Sequence, residues 1–282
     1  MNFADIPDEY AFYEDARIVV LPVPYDATST WVKGADKGPD AIIEASCNME
    51  LYDIETNSQV FEKGIFLARP VEPLDDPKKM VNAVYRKVKH YLNDDKFLVL
   101  LGGEHSVTIG SVIAFAESYD DLCVLQLDAH TDLRPEYQQS IYNHACVMSR
   151  VRELCPVIQV GIRSMDILET SFLIKENLFL AEHIQIGTDW MEKVVSRLTK
   201  NVYITIDLDV YDPSIMPSTG TPEPGGLLWY PVLDLMKRVA VASHIVGFDV
   251  VELCPMENNK APDFLAAKLI YKLLSYKYHL VH

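Results

Sequence analysis

The feature that most constrains this chain is an unbroken alternation of two kinds of segment. Short runs that are apolar on both faces, such as "FLVLLG" and "LCVLQL", alternate with longer amphipathic runs. A strand apolar on both faces must be covered on both, which is the arrangement of a parallel sheet with helices above and below. Eight strand segments can be read: "ARIVVLPVPY", "GIFLARPV", "KFLVLLGGEHS", "LCVLQLDAH", "VIQVGI", "LFLAEHI", "NVYITIDLDV" and "HIVGFDVVEL". Helices are expected over "GPDAIIEASCNMELYD", "DDPKKMVNAVYRKVKHYLND", about Ser106 to Ser118, "ACVMSRVREL", "PVLDLMKRVAVAS" and "FLAAKLIYKLLSYKY". In the second of these, Met80, Val84, Val88 and Leu92 recur every four residues, which places them on one helical stripe. No linker, repeat or low-complexity stretch divides the alternation, so one domain over 1–282 is expected. A closed barrel fits alternation as well as an open sheet does, so periodicity leaves both open.

In parallel α/β folds, ligands bind at the carboxyl ends of the strands. The costly residues of this sequence collect there. His105 follows "FLVLLGGE", Asp128, His130 and Asp132 follow "VLQL", Asp207 and Asp209 end "VYITIDLD", and Glu252 ends "GFDVVE". Strand side chains alternate between faces, so the i, i+2, i+4 spacing of Asp128, His130 and Asp132 predicts that all three point the same way. A lone Asp at a strand end is ordinarily a turn or cap residue. Two independent clusters of this kind are the mark of a metal or catalytic site. Four carboxylates converging in a partly dry site need cations to stay ionised. Two divalent ions match them in charge. Six ligands are too few for two separate octahedra, so some carboxylates would bridge and water would complete the shells. An oxygen-rich set with two imidazoles suits Mn²⁺, with Co²⁺, Zn²⁺ and Fe²⁺ as competitors. The absence of cysteine from the cluster argues against a closed structural zinc site.

Charge and cysteine usage narrow the partners. The net charge of −16 makes nucleic acid and anionic membrane surfaces poor partners and favours a small cationic substrate. Cys47, Cys123, Cys146, Cys155 and Cys254 are odd in number and form no C-x-x-C pair, which suits a reducing cytoplasm better than a disulfide framework. The start "MNFADIPDEY" has no basic or apolar leader pattern, and no apolar run reaches membrane-spanning length.

The stretches "GGEHS", "DAHTDLR", "NHACVMSR", "IDLDVYDPSIMP", "GTPEPGG" and "GFDVVEL" are together similar to the ureohydrolase family, which holds arginases, agmatinases and their relatives. They occur in the family's order and spacing. The agmatinases are also resembled by "LPVPYDATSTWVKGADKGPDAIIEAS" and "NMELYD". The resemblance spans nearly the whole chain. It implies a three-layer αβα fold with a mainly parallel sheet of about eight strands. It implies two Mn²⁺ ions, one held by His105, Asp128, Asp132 and Asp207, the other by His130, Asp128, Asp207 and Asp209. Asp128 and Asp207 would then bridge. Glu104 stands where many relatives carry Asp, and it precedes the ligand rather than being one.

Hydrolysis of a guanidinium carbon at pH 7 needs a strong nucleophile, and two metals roughly 3.5 Å apart can lower the pKa of a shared water to supply one. The resemblance assigns Asp132 a hydrogen bond to that nucleophile and the transfer of its proton to the departing amine. Glu252 would pair with the substrate guanidinium through two parallel hydrogen bonds. Thr221 would lie beside it, although the glycines around Thr221 also suit a plain turn. His144 would shuttle protons, a role that a pKa near neutrality suits. The alternative for His144 is a cap on the following helix. Cys146 reads as packing.

The expected substrate is agmatine, cleaved to putrescine and urea. Arginases usually place Asn two residues after the Asp132 position, and here the residue is Arg134. Arg134 also leaves open a carboxylated guanidine such as 4-guanidinobutyrate. Arginase and formiminoglutamase activities are more distant options, and a non-catalytic polyamine-binding relative is an alternative of another class. Relatives are commonly trimers or hexamers, so a homo-oligomer is expected.

Overall fold

A computed structural model describes residues 2–187 and 189–280, so the two ends of the expected 1–282 domain and Thr188 lie outside the described residues. The eight strands are β1 (Ile18–Val23), β2 (Ile65–Leu67), β3 (Phe97–Gly102), β4 (Leu122–Leu127), β5 (Val157–Ile162), β6 (Leu178–Leu180), β7 (Asn201–Asp207) and β8 (His244–Val251). All pair in parallel in one sheet of order β2-β1-β3-β8-β7-β4-β5-β6. The sheet is open, with β2 and β6 at its edges, which excludes the barrel.

Helices cover both faces. They are α1 (Gly38–Ser46), α2 (Pro77–Asn93), α3 (Val107–Ala116), α4 (Val147–Val151), α5 (Ala181–Ile186), α6 (Trp190–Val195), α7 (Trp229–Ala242) and α8 (Ala261–His279). Alternation along each strand divides the core in two. Ile18, Val20, Phe97, Val99 and Leu101 face one side, with apolar residues of α1, α7 and α8. Val19, Leu21, Val23, Leu98 and Leu100 face the other, with those of α2, α3 and α4. The result is the three-layer αβα sandwich. α2 shows why such a helix forms where it does. The Asp76 carboxylate caps it by accepting the Lys79 N–H, Pro77 occupies the first turn without losing a bond, and Met80, Val81, Val84 and Val88 are buried beneath it.

Three segments differ from the sequence reading. "LFLAEHI" is a strand only over Leu178–Leu180 and then turns helical as α5. α1 stops at Ser46, whose hydroxyl donates to Ile43 O and accepts the Ala4 N–H. The rest of that segment peels away, and Asp53 pairs instead with Ser58 and with Lys272 of α8. "ACVMSRVREL" is helical for only five residues, because the Asn143 side chain draws the chain into a 3-10 turn before α4.

Candidate active site

The four central strands, β3, β8, β7 and β4, are not consecutive in the chain, yet they are neighbours in the sheet. Their carboxyl ends bring together all the residues expected to bind metal. β3 runs into Gly102 and Gly103, and a Cβ at Gly103 would lie 2.0 Å from Tyr25 O, so only glycine lets the chain turn toward His105 there. β4 ends at Leu127, so Asp128, His130 and Asp132 lie beyond it. Their convergence therefore does not come from strand alternation. It comes from a loop in which Asp132 takes a left-handed conformation (φ 53°).

His105 Nδ1 lies 3.2 Å from Asp128 Oδ2, 3.1 Å from Asp132 Oδ2 and 3.5 Å from Asp207 Oδ2. It is buried and makes no well-angled hydrogen bond among the described residues. An orphaned imidazole nitrogen facing three carboxylates is a fit for a cation. On the other side of the ring, His105 Nε2 is 2.9 Å from Thr205 Oγ1, and Thr205 gives its own proton to Asp249 Oδ1 at 2.6 Å. That polarity makes Nε2 the donor and leaves the Nδ1 lone pair for a metal. A second group forms around His130, whose Nδ1 lies 2.9 Å from Asp209 Oδ2 and 3.6 Å from Asp128 Oδ1. Asp128 belongs to both groups. Its oxygens are held by the His130 N–H and by Gln126 Nε2, at 2.6 and 2.7 Å. Asp207 meets the first group through His105 and the second through the Asp209 N–H, which it accepts at 2.9 Å.

Burial and crowding set the charges. Burial lifts the Asp207 carboxyl well above its usual range, and Asp209 and Asp128 add to the effect. Burial and the Asp128 charge push Asp132 up to about 7. Burial would raise Asp128 too, but the close His105 and His130 imidazoles, when protonated, hold it below its usual value. The imidazoles respond in the opposite sense. Burial would lower both, yet the carboxylates lift His105 well above its usual value and carry His130 up to about 12. In the metal-free protein, protons on two histidines supply part of the positive charge that the carboxylates demand.

Glu252, His144 and Thr221 line the same cavity of about 290 Å³ as His105, His130, Asp132 and Asp207. Glu252 follows β8 in a left-handed conformation (φ 66°) and is buried. Its Oε1 already accepts the His105 N–H, so its guanidinium-facing capacity is less than the two free oxygens expected. Burial and the neighbouring Glu104 raise its carboxyl well above the usual range. His144 is held by its N–H to Thr28 Oγ1, and the capping alternative belongs instead to Asn143. Burial and the charges on His130 and His105 bring the His144 imidazole down to about 4, below the neutral value expected for it. It is a neutral imidazole at pH 7. Burial and Asp132 push the Cys146 thiol up to about 12, in keeping with packing.

Arg134 is not free. It pairs with Asp166 at 3.2 Å, and its guanidinium carbon lies 4.6 Å from the centre of the Tyr137 ring. Several supporting residues were not singled out in the sequence. Asp249 accepts from Thr108, Tyr203 and Thr205 beneath the site. Gln159 holds Gln126, and Glu169 accepts the Thr131 hydroxyl and the Leu133 N–H. For Gln126, Gln159 and Asp249 the available signal was a polar side chain inside an otherwise apolar strand, whereas Glu169 lies in the 3-10 turn Ile167–Phe172.

A family model described as the arginase family matches residues 16–275. An N(1)-aminopropylagmatine ureohydrolase of Synechocystis sp. is 38% identical over 275 residues, covering 94% of this chain and 90% of that one. An agmatinase of Pyrococcus horikoshii is 32% identical over 267 residues, covering 93% and 92%. The crystal structure of agmatine ureohydrolase of Thermoplasma volcanium superposes with a TM-score of 0.87 at 31% identity, covering 98% of this chain and 95% of that one.

Proposed function

Because this chain belongs to the arginase family and is an amidinohydrolase of the ureohydrolase type, we propose that it hydrolyses the guanidinium group of agmatine or of its N1-aminopropyl derivative. The first would give putrescine and urea, the second spermidine and urea. The observation that carries this reading is the pair of ligand groups sharing Asp128 on the wall of a cavity that also presents Glu252.

His105, Asp128, Asp132 and Asp207 would hold one divalent ion, and His130, Asp128, Asp207 and Asp209 the other. Mn²⁺ suits this donor set, with Co²⁺, Zn²⁺ and Fe²⁺ as alternatives. Such a pair of ions supplies countercharge and a nucleophilic oxygen at neutral pH. The protein's own groups do the rest. Glu252 receives the guanidinium and orients its carbon toward the centre. Asp132 takes up the proton lost by the nucleophile and delivers it to the departing amine nitrogen as the C–N bond breaks. His144, neutral at pH 7, passes a further proton between the departing amine and solvent. Thr221 flanks the guanidinium.

An amine-tailed substrate is supported by the engagement of Arg134, which leaves no unpaired Lys or Arg among the described residues that line the cavity to receive a carboxylate. The net charge of −16 suits a polycation and opposes nucleic acid or an anionic membrane as partner. Among the described residues, no helix is long and apolar enough to cross a membrane. Free thiols support a cytoplasmic setting. We read the working form as one domain per chain, assembled as a trimer or hexamer. Urea release from agmatine, N1-aminopropylagmatine, 4-guanidinobutyrate and arginine by Mn²⁺-loaded protein tests the reading. Highest kcat/KM on one of the first two is expected. A protein that holds two ions and releases urea from neither overturns it.

A further inference from the structure

Arg163 is the residue after β5, and its guanidinium sits among main-chain carbonyls rather than against a carboxylate. Nη2 donates to Asp209 O at 2.6 Å and to Glu223 O at 2.8 Å. Nε donates to Pro224 O at 3.1 Å, and Nη1 to Gly161 O at 3.1 Å. No ion pair to Arg163 is found among the described residues. Its backbone is tied to a third place: the N–H groups of Arg163 and Ser164 both donate to Ala129 O, at 2.8 and 3.0 Å. Ala129 lies between Asp128 and His130, and its own N–H donates to Asp209 Oδ1 at 2.9 Å. One residue therefore joins the loop after β4, the loop after β7, and the 221–226 segment that carries Thr221. The planar fork of a guanidinium can serve carbonyls in several directions at once, which a lysine ammonium on one stem cannot.

We propose that Arg163 is the positioning residue for the His130–Asp209 half of the metal centre, and that it couples filling of that half to the order of the 221–226 segment. The inference rests on the two-ion reading given above. Holding Asp209 O from behind fixes where Asp209 Oδ2 meets His130 Nδ1, at 2.9 Å. The same nitrogen holds Glu223 O, so a shift of Asp209 is passed to the segment beside the guanidinium site. A residue that merely satisfied loop carbonyls would affect stability without choosing between the two ions.

The test is Mn²⁺ stoichiometry and affinity, measured by elemental analysis after gel filtration and by titration of metal-free protein. Wild type is expected to take up two ions. Arg163→Lys should keep one tightly and bind the other roughly tenfold to a hundredfold more weakly, the scale for groups that support metal ligands. Arg163→Lys combined with Asp209→Asn should still hold one ion tightly, whereas Arg163→Lys with His105→Ala should hold neither ion tightly. Two ions bound as tightly in Arg163→Lys as in wild type, or both weakened equally, overturn the inference and leave the two-ion reading standing. Wild type that takes up fewer than two ions overturns both. Hydrogen exchange on the wild type needs no variant and stands if Arg163→Lys does not fold. Amides in 221–226 should gain protection with the second equivalent of Mn²⁺, and protection unchanged between one and two equivalents removes the coupling.

Discussion

Glu252 Oε1 lies 2.7 Å from the main-chain nitrogen of His105 and accepts its hydrogen. A carboxylate on the cavity wall, proposed to receive the guanidinium, thus also holds the backbone of a proposed metal ligand. In the proposed reading, substrate recognition and metal geometry share one side chain, and variants at 252 separate them.

Glu252→Gln keeps an oxygen for the His105 N–H but loses the charge opposite the guanidinium. Truncating one partner of a desolvated charged pair costs about 2–5 kcal/mol, roughly thirtyfold to several thousandfold. The expected result is a loss of that size in kcat/KM, part of it in kcat, with metal content near wild type. Glu252→Ala should reduce metal content as well. Agmatine turnover within about threefold of wild type in Glu252→Gln would mean that the guanidinium is held elsewhere.

Asp128→Asn should weaken both ions, because Asp128 belongs to both ligand groups. His105→Ala should deplete mainly one. Elemental analysis after exhaustive dialysis distinguishes the two patterns. Selective loss of a single ion in Asp128→Asn would end the shared-ligand assignment.

The raised pKa values give the metal-free protein a specific pH response. Burial and Asp128 lift Asp132 from 3.8 to about 7, so the native state binds that proton more tightly than the unfolded chain. The stability this contributes is full below 3.8 and is lost as pH rises through about 7. For His130, carried from 6.5 to about 12, the contribution is full below 6.5 and is lost toward about 12. Asp207 and Glu252 shift in the same direction as Asp132. Metal-free protein should therefore lose Tm from pH 5 to pH 9 relative to Mn²⁺-loaded protein, and Mn²⁺ binding should tighten and release protons over that range. A Tm difference that narrows with rising pH contradicts the assignment.

Arg134→Ala leaves Asp166 unpaired at the cavity wall. The pair is partly exposed, so the effect is small, up to about fivefold, and fades with salt. KM for agmatine should fall or stay unchanged at low ionic strength, and 4-guanidinobutyrate should gain nothing. A selective loss of activity on 4-guanidinobutyrate would instead show that Arg134 receives a carboxylate.

The candidate ligands were legible in the sequence for a reason that proved incomplete. The i, i+2, i+4 spacing singled out Asp128, His130 and Asp132, which the structure brings into two candidate ligand groups, yet β4 ends at Leu127 and a loop, not a pleat, aims them. Composition at strand ends carries the signal because only a site repays placing carboxylates there. The parallel sheet was legible from runs apolar on both faces. Its strand order was not, since nothing local in β7 or β8 says that they lie between β3 and β4. Arg163, Thr205 and Asp249 escaped for a similar reason. Asp249 reads as one polar residue in "HIVGFDVVEL", and its meaning depends on Thr205 and Thr108, far away in the chain. Arg163 acts on carbonyls, which leave no mark on sequence.

A ribosome delivers this chain in numerical order, but the sheet is not assembled in that order. β1 to β3 form one flank and β4 to β6 the other, and in the finished sheet no strand of the first pairs with one of the second. Until β7 and β8 have emerged, the inner edges of β3 and β4 lack their partners, and both strands are apolar on each face. A nascent or prematurely terminated chain ending near residue 200 therefore carries two unsealed edges, the kind of surface that invites pairing with other chains and chaperone attention. The cavity, which takes His105 from beyond β3, Asp132 from beyond β4, Asp207 from β7 and Glu252 from beyond β8, cannot be completed until nearly the whole sheet has emerged.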